Sequence, residues 1–207
     1  MKLLKSILFL TGLLFFTVAC DEDDDPDVSQ PAEVKTFEDI PANPQPPGPP
    51  GPPDFTFIRF ADESIIADTD SATTKWDIGL SSTTIIVNGG VSGPGSTEAQ
   101  ILVGLFDEIT EAPEGGYVTD TETSNAIPTG SGNGWYNYNL NGNNVVSPIP
   151  GRVIVLKTNE GNYVKFEILN YYQGNPDITT EDFINNRPPS RHYTIKYAYQ
   201  PDGSRSF

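Results

Sequence analysis

From Pro150 to Tyr172 the chain reads PGRVIVLKTNEGNYVKFEILNYY, and no other stretch constrains the fold so tightly. Val153, Ile154, Val155 and Leu156 form an unbroken, mostly β-branched run, which suits a strand covered on both faces. Thr158-Asn159-Glu160-Gly161-Asn162 then supplies a turn signal. Beyond it Val164, Phe166 and Ile168 alternate with Tyr163, Lys165 and Glu167, the period of a strand with one buried and one wetter face. A helix is the competing reading, but Gly161 would interrupt it and the apolar positions do not recur at three and four. The stretch predicts a β-hairpin at the centre of a sheet.

The rest of the composition agrees with a β-rich chain: 19 Gly and 19 Pro among 207 residues, with 11% aromatic content, point to one all-β domain with long tails. A domain of about 150 residues buries close to 70% of its unfolded surface and needs no disulfide to fold. The single cysteine could form none within the chain. Neither zinc nor thiol redox chemistry has the side chains it needs. A formal net charge of −16 opposes nucleic acid and anionic headgroups, so nucleic acid is excluded as a partner class.

Lys2 and Lys5 precede an apolar run from Ile7 to Phe16, followed by Thr17-Val18-Ala19-Cys20. The run is shorter than the roughly 20 apolar residues of a membrane span and reads as a secretion signal, residues 1–19. The cysteine at its end resembles that of a bacterial lipoprotein, which would make Cys20 a lipidation site and a membrane anchor. A plain cleaved signal leaving a free Cys20 is the alternative. Several acyl chains, each contributing about 0.8 kcal/mol per buried methylene, make a stable anchor. Six carboxylates follow between Asp21 and Asp27, a self-repelling block that reads either as an export signal or as a solvated spacer. Pro44 to Pro53 holds seven prolines in ten residues. Polyproline II at about 3.1 Å per residue would make that run a spacer of roughly 30 Å. Residues 20–53 are therefore expected to be a tether, with docking of Phe37 and Ile40 on the domain left open, and the folded domain to be residues 54–207.

Within that domain Phe55 to Phe60, Ser64 to Ala67, Thr74 to Leu80 and Thr83 to Val87 read as strands, with Trp76 in the core. Ile101, Leu102, Leu105, Phe106 and Ile109 fit a helical stripe, so Gln100 to Ile109 is expected to be a short helix. Asp107, Glu108 and Glu111 lie close enough in sequence for paired-carboxylate chemistry, but sequence proximity alone is weak evidence and a solvated helix face or loop is the preferred reading. Asp120 to Gly134 is a long polar loop whose glycines lack the Gly-Lys-Ser/Thr ending of a phosphate loop. Trp135 to Tyr138 reads as a strand with Tyr136 and Tyr138 on one side, packing in the core or lining a ligand pocket. Gln173 to Ser190 is a second long loop with a helical turn around Thr180 to Ile184, and Arg191 to Gln200 the last strand.

Trp76-Asp77-Ile78, Asn88-Gly89-Gly90, Gly134 to Tyr138, the Pro150 to Tyr172 hairpin and the ending Tyr-Gln-Pro-Asp-Gly-Ser-Arg-Ser-Phe together resemble the HmuY-like surface lipoproteins of Bacteroidetes. The acidic block after Cys20 likewise resembles the export signal of surface lipoproteins in that phylum. The resemblance implies an antiparallel all-β domain with projecting finger-like strands and loops and few short helices. It also implies a lipid-anchored place on the outer-membrane surface, and haem held for an uptake system that includes an outer-membrane transporter. Haem-binding members use paired axial histidines or methionines. This chain has one histidine, His192, and one methionine, Met1, which leaves with the signal. A haem or related hydrophobic ring would have to be met by His192 or by Tyr136 and Tyr138. The alternative is a non-haem interaction or structural module for a transporter or a polysaccharide. An enzyme is not expected, because one histidine builds no catalytic arrangement and no nucleotide or metal motif is present.

Overall fold

The computed structural model describes residues 32–42, 54–139 and 142–207. The signal segment, Cys20, the acidic block and Pro44 to Pro53 lie outside the described residues. Among the described residues the chain runs β1 (Val34–Pro41), β2 (Thr56–Arg59), β3 (Ser64–Ile66), β4 (Ile78–Ser81), β5 (Thr84–Val87) and β6 (Glu98–Val103). It continues β7 (Tyr136–Tyr138), β8 (Val146–Pro148), β9 (Arg152–Lys157), β10 (Tyr163–Tyr172), α1 (Glu181–Asn185) and β11 (Ser190–Gln200). No helix among the described residues is long and apolar enough to cross a membrane.

The predicted hairpin is β9 and β10, and it sits where the sequence pattern requires. A five-stranded antiparallel sheet has the order β1-β11-β10-β9-β6, with β10 in the middle. Val153, Ile154, Val155 and Leu156 are all fully buried, because both faces of β9 are covered. One face carries Ile154, Leu156, Val164 and Phe166 into the main core, which they share with Ile58, Ile78, Leu80 and Val87 of a second sheet ordered β3-β2-β4-β5. Phe60 joins the two, its ring 5.3 Å from Phe166 and 5.1 Å from Tyr197. On the opposite face Val153 and Ala198 meet Phe106 and Phe207. That cover also buries Lys165, only 4% exposed where alternation predicts a wetter position. Its ammonium is satisfied by donating to the carbonyls of Phe106 at 3.0 Å and Ile109 at 2.9 Å and by lying over the Phe106 ring. Burial pushes its pKa down.

Two expectations are corrected. Gln100 to Ile109 is not a helix: β6 pairs with the whole of β9, from Glu98 against Lys157 to Val103 against Arg152, and only Phe106–Glu108 make a 3-10 turn. The helical stripe would need a buried face, yet Leu105 is 62% exposed; the open edge of β9 instead takes its ladder partners from β6. The domain also begins before Asp54. Residues 34–41, expected in the tether, form β1 on the free edge of β11, with Ile40 and Ala42 fully buried. A bulge between Phe37 and Ile40 lets the strand follow the sheet. Asp39 stands there at φ 50, its Oδ1 accepting the Gly174 N–H at 2.7 Å.

Candidate ligand cavity

The cavity of chemical interest lies at the end of the sheet where β10 and β11 lose regular register. Asn170 breaks the ladder, its Oδ1 accepting the N–H groups of Tyr171 at 2.8 Å and Tyr172 at 3.0 Å. The alternation of β10 fails there, so both tyrosines are buried in succession. Tyr171 packs edge-on to Tyr193 at 5.4 Å and 5.8 Å from Trp135, while Tyr172 packs edge-on to Phe183 of α1 at 4.8 Å. Thr180 caps that short helix by accepting the Phe183 N–H.

Against this aromatic group stands the β7–β8 hairpin. Its Gly-rich approach makes turns, with Gly130 and Gly132 at positive φ, and Ser131 accepts the Tyr138 N–H at 2.8 Å. Period-2 geometry sets Tyr136 and Tyr138 on the same side of β7, and both line a cavity of about 550 Å³. Tyr171 and Tyr172 line it from β10, Ser82 and Thr83 from the β4–β5 turn, Arg187 and Pro188 from the loop before β11, and Arg191 from the start of β11. Both long loops predicted from sequence reach it, the first only through Ser131.

Every tyrosine hydroxyl of the lining is engaged. Tyr136 accepts from Thr83 Oγ1, and the Tyr171 hydroxyl is hydrogen-bonded to Ser82 Oγ, each at 3.3 Å. Tyr138 donates to Asn144 Oδ1 at 3.3 Å, and Tyr172 accepts the Val146 N–H at 3.0 Å. Burial pushes the Tyr171 pKa up, a shift offset in part by its hydrogen bonds to Ser82 and Arg191. Arg187 donates to the carbonyls of Asn143 and Asn144 and lies over the Phe183 ring at 5.3 Å. Arg191 has φ 65, a left-handed conformation uncommon for arginine, fixed by its carbonyl accepting the Ala42 N–H at 2.8 Å.

The structure thus brings Tyr136 and Tyr138 together and leaves His192 out. His192 pairs with Pro41 on the edge-strand side of β11, and its Nδ1 lies 3.0 Å from the Ser190 carbonyl. Of the three carboxylates Asp107, Glu108 and Glu111, two are engaged in surface ion pairs: Asp107 meets Lys196 at 3.0 Å and Glu111 meets Arg205 at 2.7 Å. Tyr171, Tyr172, Arg187 and Arg191 were not singled out by sequence reasoning. The available signals were an Asn-Tyr-Tyr run that ends an alternating strand, and two arginines flanking Pro-Pro-Ser in an acidic chain.

A second hollow of about 560 Å³ lies on the other sheet, lined by Phe55, Phe57, Ile86, Val91 and Pro94 and by no charged side chain.

A sequence model of the HmuY protein family matches residues 52–183, well over half of the chain. The chain belongs to the HmuY family. Two solved structures agree on the fold. The apo HmuY analog of Tannerella forsythia superposes with a TM-score of 0.50 at 16% identity, covering 83% of this chain and 96% of that one. Apo PinO from Porphyromonas gingivitis gives 0.51 at 15% identity, covering 82% and 98%. A candidate HmuY-like heme-binding protein from Bacteroides vulgatus gives 0.47 at 19% identity, covering 72% and 86%. No curated protein matches the sequence significantly. The HmuY match begins just before β2, so the family sequence model does not reach β1.

Proposed function

We propose that this HmuY-family chain is a binding protein of the outer-membrane surface, anchored through lipid on Cys20, that captures haem or a related flat hydrophobic ligand for uptake. The observation that carries the reading is the cavity of about 550 Å³. Pockets for small ligands commonly span about 300–1,000 Å³ and combine apolar walls with a few placed polar groups. Here aromatic rings form the walls and two arginines stand at the rim, which suits a flat apolar body carrying acidic groups. Family membership supports haem as the first ligand to test, and the sequence around Cys20 supports the anchor. An outer-membrane transporter would be the natural acceptor of the cargo.

Haemin titration of the mature chain tests the reading. The expected result is a saturable change in the Soret band and quenching of tryptophan fluorescence, since Trp135 packs at a tilt against Tyr136, ring centroids 4.9 Å apart, beside the cavity. An absence of saturable change under both oxidising and reducing conditions would remove haem from the proposal.

A further inference from the structure

The cavity is well supplied for the organic part of a porphyrin and poorly supplied for its metal. Haem iron is held in proteins by His, Met, Cys thiolate or Tyr. His192 is not in the lining, and Cys20 and Met1 lie outside the described residues. Among the described lining residues only tyrosines can offer an axial donor, and all four hydroxyls are already hydrogen-bonded to the protein. That of Tyr171 is moreover held in its neutral form by burial.

The groups that would meet the rest of a porphyrin are fixed in place. Arg187 is pinned by two carbonyls and the Phe183 ring, and the Arg191 side chain is held by the Tyr171 hydroxyl. A guanidinium carries five donors in a planar fork, so each can pair with a carboxylate while keeping its present partners. The two stand either side of Pro188 and Pro189, on one rim of the cavity. An apolar ring without acidic groups would be served as well by the uncharged hollow around Phe55 and Phe57.

Resting on the reading of this cavity as a site for haem-like rings, we propose that it recognises a planar tetrapyrrole through its ring face and its carboxylates, with Arg187 and Arg191 as the carboxylate-pairing residues, independently of any bound iron. Iron-free porphyrins and haemin are then equivalent ligands. The substrate class is a flat, apolar dicarboxylate, and iron is cargo rather than a contact.

The test is a parallel titration of the mature chain with haemin, with iron-free protoporphyrin and with its dimethyl ester, read by tryptophan quenching. The expected result is that the two acids bind within about threefold of each other and the ester at least about tenfold more weakly, tenfold being about 1.4 kcal/mol. R187A and R191A each lower the affinity for both acids by the same factor, while unfolding midpoints confirm that the variants are folded. Haemin binding more than about tenfold tighter than the iron-free acid, with a spectrum of axial ligation, would overturn the proposal and leave haem capture standing. Ester and acid binding alike would overturn the role of the arginines. Failure of all three compounds to bind would overturn this proposal together with the reading on which it rests.

Discussion

Asp77 shows how much one side chain fixes in this molecule. It is 3% exposed, and its Oδ2 accepts the Phe60 N–H at 2.8 Å, tying the end of β2 to the start of β4. Desolvation raises its pKa to about 7, against the opposing hydrogen bond from Phe60. A carboxyl with a raised folded pKa gives stability that is full below its unfolded value, near 4, and is lost as pH rises through about 7. Asp77→Asn keeps an acceptor for Phe60 and cannot ionise. Relative to wild type, the variant is expected to gain stability progressively from pH 4 to pH 8, by up to about 4 kcal/mol. Urea unfolding at a series of pH values checks this, and a constant difference between the two proteins would contradict it. At the same scale the sequence reveals Tyr136 and Tyr138 through alternation. It hides Tyr171 and Tyr172, because their burial depends on a bulge made by the Asn170 side chain with neighbouring N–H groups.

At the scale of elements, β9 and β10 were legible because local pattern and tertiary position agree: a doubly apolar run and an alternating run define a central hairpin. β6 was not, because its stripe satisfies a helical period and only the unpaired edge of β9 decides otherwise. β1 was hidden by its neighbours, a charged block before and a proline run after, although Ile40 within it is fully buried. A chain beginning at Asn43 would expose the edge of β11 and remove Ile40 and Ala42 from the core. Compared with a chain beginning at Ala32, it is expected to lose at least about 2 kcal/mol of stability, the lower range for deleting one large buried aliphatic side chain. Equal urea midpoints for the two chains would show that β1 adds nothing to the fold.

For the whole molecule, the two sheets form a scaffold whose core leaves little room for chemistry, and the cavity sits where the long sheet gives way to the β7–β8 hairpin and the loop before β11. A net charge of −16 repels an anionic ligand at long range, and salt screens that repulsion beyond about 10 Å. Capture of such a ligand therefore depends on contact with the arginines at the rim, and its association rate is expected to rise with ionic strength, as stopped-flow quenching would show. Hydrogen–deuterium exchange of the mature chain with and without porphyrin tests the location most directly. The account predicts added protection in the segments around Ser131 to Tyr138 and Arg187 to Arg191, with none around Val91 to Pro94. Protection confined to the hollow at Phe55, Phe57 and Val91, or absent from both places under saturating ligand, would contradict it.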